Sequence, residues 1–157
     1  LPYLVSRAWS RAPLPRDRRA MAGAGAGLLF LFTASGHFVQ TDAMVQMLPA
    51  WLPARESLVY ATGVIEIVIG VGLFFRRTRA VAAWAAMAAL VAFFPANVHA
   101  ALQHVPMGGH AWGPVYLLVR APVQLFILWW IRAMVLRAAH RPAPASQGPP
   151  WARGGTA

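Results

Sequence analysis

The sequence predicts an all-α membrane protein, a bundle of four antiparallel transmembrane helices with both termini in the cytoplasm. Hydrophobic residues make up 59% of the 157-residue chain, whose mean hydropathy is +0.52. They form four runs that are long enough to cross a bilayer as helices. Twelve of the fourteen arginines lie before the first run, between the second and third runs, or at and after the end of the fourth. Such an asymmetry is typical of cytoplasmic loops.

The net charge of +10 does not indicate a nucleic-acid-binding protein. The arginines occur in blocks beside apolar runs, and such blocks set the orientation of membrane helices. We therefore expect the lipid bilayer as a partner, no nucleic acid, and a multi-pass location in the bacterial cytoplasmic (inner) membrane. The chain has no cysteine, which excludes disulfides, thiolate metal ligands and a thiol relay to a quinone.

Three segments make up the predicted domain organisation. Residues 1–20 form a basic arm on the cytoplasmic surface of the membrane. Residues 21–137 form the transmembrane domain, and residues 138–157, rich in Pro, Ala and Gly, form a disordered cytoplasmic tail. The four predicted spans cover about 21–40, 58–75, 80–102 and 114–134.

The first span opens on AGAGAG at 22–27. No strand precedes this run and arginines flank it, which excludes a dinucleotide-binding loop. Gly23 and Gly27 instead predict a face of small residues for close helix packing. The segment after this span, 41–56, is too apolar for a solvated loop. We expect it to lie in the membrane interface, with Trp51 at the level of the headgroups.

The second span carries a single charged residue, Glu66, near its middle. A carboxylate at this depth costs roughly 2.5–3.5 kcal/mol on insertion scales, so it needs a partner or a wet cavity. Gly63, Glu66 and Gly70 recur at helical spacing on one face. We therefore expect another helix to approach closely on both sides of the carboxylate.

The third and fourth spans supply candidate partners for Glu66. The third contains Pro95 and Asn97, and the fourth contains Arg120 and Gln124, one turn apart on the same face. Pro95 removes a backbone donor, and we expect Asn97 to bond the carbonyl that Pro95 frees.

Helical rise places these polar side chains roughly 5–13 Å below the outer ends of their helices. We therefore predict one buried cluster in the outer half of the bundle, formed by His37, Glu66, Asn97, Arg120 and Gln124. At its centre we expect a direct ion pair between Glu66 and Arg120, because buried charges need partners and further hydrogen bonds. The cluster has two interpretations, a lock that fixes helix packing or a site for a ligand or proton.

Histidines around the second outer loop suggest a metal site at first sight. His99, His104 and His110 lie there together with Met107. No carboxylate or thiolate accompanies them, and the glycines of this loop favour flexibility. We therefore predict no metal site.

Five segments together resemble the DoxX family of four-helix membrane proteins. They extend over about 21–134 in the order of the spans: SGHF (35–38), LPAWLPA (48–54), LVYATGVIEIVIGVGLF (58–74), FPANVHAAL (94–102) and VRAPVQLFILWW (119–130). The resemblance implies that the five residues of the predicted cluster occupy the family's polar motif positions. It also implies a subunit associated with quinone-linked sulfur or redox chemistry.

With this resemblance, we expect an accessory subunit of a membrane redox system that binds a quinone-like or other amphipathic molecule in the outer half of the bundle. Other membrane or peripheral redox subunits are the expected partners, and no covalent cofactor is expected. The alternative is a non-catalytic assembly module whose polar core only fixes helix packing. A cavity beside Glu66 favours the first function, and a dry, fully satisfied cluster favours the second. Spacing and composition define no reaction.

Single cysteines test the predicted topology, because the chain has none of its own. Met44→Cys and Gly108→Cys are expected to react with a membrane-impermeant maleimide added from outside, since both lie in predicted outer loops. Ala12→Cys and Thr78→Cys are expected to stay protected until the membrane is opened. Labelling of Thr78→Cys from outside would contradict the predicted orientation.

Overall fold

The structure is a computed structural model that describes residues 18–136, and within this range it is all-α. Residues 1–17 of the predicted arm and the predicted tail lie outside the described residues. The elements in chain order are α1 (Arg18–Val39), α2 (Thr41–Gln46), α3 (Arg55–Phe74), α4 (Arg79–Leu102), a 3₁₀ segment (His110–Tyr116), α5 (Leu117–Trp130) and a π segment (Ile131–Leu136).

Within residues 18–136, four helical stretches are long and apolar enough to cross a membrane, as the sequence predicted: α1, α3, α4 and the composite His110–Leu136. The last of them begins four residues before the predicted start at 114. Its first turns are 3₁₀ helix interrupted by a kink at Gly113, whose φ of 72° is not helical and which Pro114 follows. Only glycine adopts this backbone conformation readily, so regular α-helix begins after it, at Leu117.

Glycines bring α1 and α3 into backbone contact. A Cβ added to Gly27 would lie 2.8 Å from the carbonyl oxygen of Gly70, and one added to Gly63 would lie 2.7 Å from the Cβ of His37. Gly63, Glu66 and Gly70 are all buried. The predicted close approach of another helix on both sides of Glu66 is therefore confirmed: α1 meets Gly70 through Gly27 and Gly63 through His37.

An arginine caps the carboxyl end of α3. Arg79, the first residue of α4, is buried, and its Nε and Nη2 donate to the carbonyl oxygens of Leu73 and Phe74, both at 3.0 Å. The last carbonyls of a helix have no partner within the helix, so these bonds satisfy them. At the same end of the molecule, Arg19 Nε donates to Val135 O at 2.7 Å and ties α1 to the π segment. From the sequence, these arginines were predicted only to mark the orientation of the helices.

The apolar core and the buried Glu66 lie toward opposite ends of the helices. The core lies toward the end that holds the capping arginines, and it combines alanines of α4 with a few larger side chains: Ala82, Ala83, Ala86, Phe30, Leu73, Ile131 and Val135. We call the other end, which carries α2 and residues 103–116, the loop end. The candidate site lies toward the loop end.

Alanine substitutions at two glycines of α1 test the packing. Gly27→Ala is expected to lower the stability by about 1–2 kcal/mol, because steric overlap with the backbone of Gly70 outweighs the gain in helix propensity. Gly36→Ala is the matched control, since its Cβ would meet only the terminal methyl of Met44, at 3.2 Å. Melting of both variants in detergent gives the comparison. Equal melting temperatures would contradict the close approach.

Candidate functional site

A cavity of about 560 Å³ lies among the helices toward the loop end. Most of its wall is apolar, and α2 contributes to it through Met44. Seven residues add polar groups to the wall: Thr33, His37, Thr62, Glu66, Asn97, Tyr116 and Arg120. The volume falls within the range of about 300–1,000 Å³ that is usual for small-molecule sites.

Glu66 has its partners on α1. The residue is only 6% exposed. Thr33 Oγ1 donates to its Oε2 at 2.8 Å, and its Oε1 lies 3.6 Å from His37 Nε2. Thr33 and His37 are four residues apart, so both project from the same face of α1. The carboxylate is therefore held between α1 and α3.

The hydrogen bonds of His37 fix its tautomer. Its Nδ1 lies 2.9 Å from the carbonyl oxygen of Val59. Since a carbonyl only accepts, Nδ1 carries the hydrogen and donates it. Thr62 Oγ1, 3.1 Å from the same nitrogen, has backbone carbonyls of α3 as acceptors for its own hydrogen. In the neutral ring, Nε2 is therefore an acceptor, and it is this atom that faces Glu66.

Arg120 is hydrogen-bonded to a side chain of α4. Its Nε donates to Asn97 Oδ1 at 3.1 Å, and Asn97 in turn donates through Nδ2 to Phe93 O at 3.0 Å. The predicted direct ion pair between Glu66 and Arg120 is wrong, because the ion pair of Glu66 within residues 18–136 is the one with His37. Both side chains nevertheless line the same cavity. The arrangement places a carboxylate–imidazole pair and a guanidinium in one apolar chamber.

Comparison with known proteins identifies the family. Residues 26–135 match DUF8561, described as a domain of unknown function. The chain belongs to the DUF8561 family. The match includes all five predicted cluster residues, from His37 to Gln124. No curated protein and no solved structure matches this chain, and the resemblance to the DoxX family stays a prediction.

Two amides of the DUF8561 protein differ from their predicted roles. Pro95 deprives the carbonyl of Val91 of its helical donor, but Asn97 bonds Phe93 and Arg120 instead. Gln124 does not join the Glu66 cluster. It is buried, its Nε2 donates to Leu90 O at 2.8 Å, and its Oε1 has no protein partner among the described residues.

Two threonines of the DUF8561 site were missed in the sequence analysis. Thr33 bonds the carboxylate of Glu66, and Thr62 contacts the ring of His37. The signal was present in the sequence, because Thr33 lies one helical turn before His37, and Thr62 lies one turn before Glu66. Threonine hydroxyls commonly bond across membrane helices. A threonine hydroxyl can also bond a carbonyl of its own helix, so it is a weaker signal of a site than a charged or amide group.

His110, a histidine of the loop end, has structural contacts. His110 is buried, its Nδ1 donates to Met107 O at 2.7 Å, and its ring packs edge-on against Tyr116 with centroids 4.8 Å apart. Within residues 18–136, no three His, Cys, Asp or Glu side chains form a group that could hold a metal ion.

Double-mutant cycles separate the observed contacts from the predicted ion pair. Asn97→Ala and Arg120→Gln are expected to couple by about 0.5–3 kcal/mol, because the two side chains share a hydrogen bond. Glu66→Gln and Arg120→Gln are expected to couple less, since no bond joins them. The free energy of unfolding of each single and double variant in mixed micelles gives both coupling energies. The structure would be contradicted if Glu66 and Arg120 coupled more strongly than Asn97 and Arg120.

Proposed function

We propose that this DUF8561 protein binds an amphipathic small molecule, a membrane quinone or a molecule of similar character, in the cavity beside Glu66. The observation that carries the proposal is the cavity itself, about 560 Å³ with mainly apolar walls and a few convergent polar groups. A bundle whose polar core served only to fix helix packing would instead bury its carboxylate in a closed cluster without adjoining space.

The proposed setting is a four-helix antiparallel bundle in the bacterial cytoplasmic membrane, with both termini in the cytoplasm. Its support is the distribution of arginines together with the contacts of α1 and α3. Gly23, near the start of α1, lies against Leu73 near the end of α3, and His37, near the end of α1, lies against Gly63. In this orientation the cavity occupies the outer half of the bundle.

The polar groups supply distinct functions toward such a ligand. Arg120 donates to a carbonyl or another acceptor of the head group, while His37 and Glu66 accept or release a proton. The apolar wall holds the chain or ring of the ligand. Met44 of α2 adds an unbranched, adaptable side chain to this wall. Ligands of different shape can therefore be accommodated.

The wider role that we propose is that of an accessory subunit of a membrane redox system, in contact with other membrane or peripheral redox subunits. The resemblance to the DoxX family supports this role. No covalent cofactor is needed for it, because the ligand binds reversibly within the bundle.

Filling the cavity tests the proposal directly. Ala96 lines the cavity, whereas Ala92, one turn earlier on α4, is exposed on the outside of the bundle. Ala96→Trp is expected to reduce the amount of co-purified quinone or other amphiphile at least about tenfold, because an indole occupies much of the space that a ligand needs. Ala92→Trp is expected to retain the wild-type amount. The readout is mass spectrometry of organic extracts from purified protein.

Two results would contradict the proposal. One is an extract of the wild-type protein with no amphiphile above the level of an unrelated membrane protein purified in parallel. The other is an equal loss of the extracted molecule in the Ala96 and Ala92 variants. Either result would favour the assembly module.

A further inference from the structure

The charges around the cavity indicate the head group of its ligand. Among the described residues, four ionisable side chains line the cavity: His37, Glu66, Tyr116 and Arg120. A tyrosine is neutral near pH 7. The net charge that a ligand meets therefore depends on the His37–Glu66 pair and on Arg120.

One proton shared between His37 and Glu66 fits the geometry of the pair. With Nδ1 of His37 donating to Val59, a neutral ring and an ionised carboxylate would place two acceptors face to face at 3.6 Å. A proton on either group removes this conflict. The pair is then an imidazolium with a carboxylate, or an imidazole with a carboxylic acid, and its net charge is zero in both forms.

Thr33 is compatible with both forms. Its hydroxyl lies 2.8 Å from Glu66 Oε2 and 3.0 Å from Phe30 O. It donates to Glu66 when the carboxylate is ionised. When Glu66 is protonated, the proton lies on Oε1, which faces His37 Nε2, and the hydroxyl still donates to Oε2. The site therefore needs no rearrangement of its backbone to hold the proton in either position.

The charge of Arg120 is not compensated within the described residues. Its Nε bonds the neutral amide of Asn97, no carboxylate forms an ion pair with it, and its two terminal nitrogens have no protein acceptor between residues 18 and 136. Arg120 is only partly exposed and lines an apolar cavity. An unpaired cation in such surroundings is unfavourable, so an anion that binds to it is stabilised by the charge that it neutralises.

We propose that the ligand of this cavity is an amphiphile whose head is an oxyanion, a carboxylate or a phosphate, bound by the terminal nitrogens of Arg120. The planar guanidinium donates two parallel hydrogen bonds to either head group. The apolar chain occupies the remaining cavity, beside residues such as Leu90 and Val123. The inference rests on the proposed function and selects among the amphipathic ligands that it allows.

Three probes of equal chain length test the head group: dodecanoic acid, dodecyl phosphate and dodecanol. Each is added to the protein in phosphatidylcholine nanodiscs at a pH that ionises the acid, and the bound fraction is read by native mass spectrometry. At least one anion is expected to bind about tenfold or more tightly than the alcohol, as charge-assisted hydrogen bonds provide. Preference for the acid identifies a free fatty acid, and preference for the phosphate identifies a lipid phosphate.

Two arginine variants test whether Arg120 causes the preference for anions. Arg120→Gln is expected to remove the advantage of the anions over dodecanol. Arg55→Gln, the same change of charge at the first residue of α3 and outside the cavity, is expected to keep the advantage. The comparison of the three probes on the wild-type protein needs no variant, so it stands even if Arg120→Gln fails to fold.

Each outcome bears on one of the two proposals. Equal binding of the three probes, or a neutral quinone as the sole molecule in the organic extract, overturns the oxyanion head and leaves the proposed function in place. Failure of all three probes to bind, together with an empty extract, overturns both. An anion preference that survives Arg120→Gln assigns the head group to another part of the protein and overturns the inference.

Discussion

A carboxylate that is buried among apolar helices needs its partners inside the protein, because the hydrocarbon around the helices offers none. Glu66 meets this constraint through Thr33 and His37, and those bonds form only while α1 and α3 lie in backbone contact. Gly27 and Gly70 make that contact possible. The helix packing and the chemistry of the site are therefore one feature, and a change that separates the two helices also removes the partners of the carboxylate.

The cavity persists because its charged groups are held on different walls. Glu66 is bonded to α1, and Arg120 is bonded to Asn97 of α4. Neither side chain therefore has to extend across the cavity to find a hydrogen-bond partner. A direct bond between the two charges would draw α3 and α5 together and close the chamber. Local hydrogen bonds instead keep it open, and they leave the guanidinium with donors for a ligand.

Most of the architecture could be predicted from the sequence, and the pairing within the site could not. Hydropathy and glycine spacing indicated the four helices and the small-residue face around Glu66. Helical rise gives the depth of a residue but not the direction in which it faces its neighbours, so Glu66 and Arg120 at similar depth were paired wrongly. Burial of Arg79 was missed for a related reason, since a basic residue after a span is usually solvated. The kink in the 3₁₀ start of the last span depends on the positive φ of Gly113, which composition alone does not specify.

The last helical stretch is buried most fully at its π segment. In α5, which is described along all fourteen of its residues, Gln124 is the single buried side chain, while Ile131 and Val135 of the π segment beyond it are fully buried. At about 1.5 Å per residue α5 is about 21 Å long, so a tilt of about 10° about that base would displace its far end by roughly 4 Å. Because Arg120 lies toward that far end, the width of the chamber and the position of its cation would change together. The stiffness of the buried base would then set how large a molecule the bundle admits.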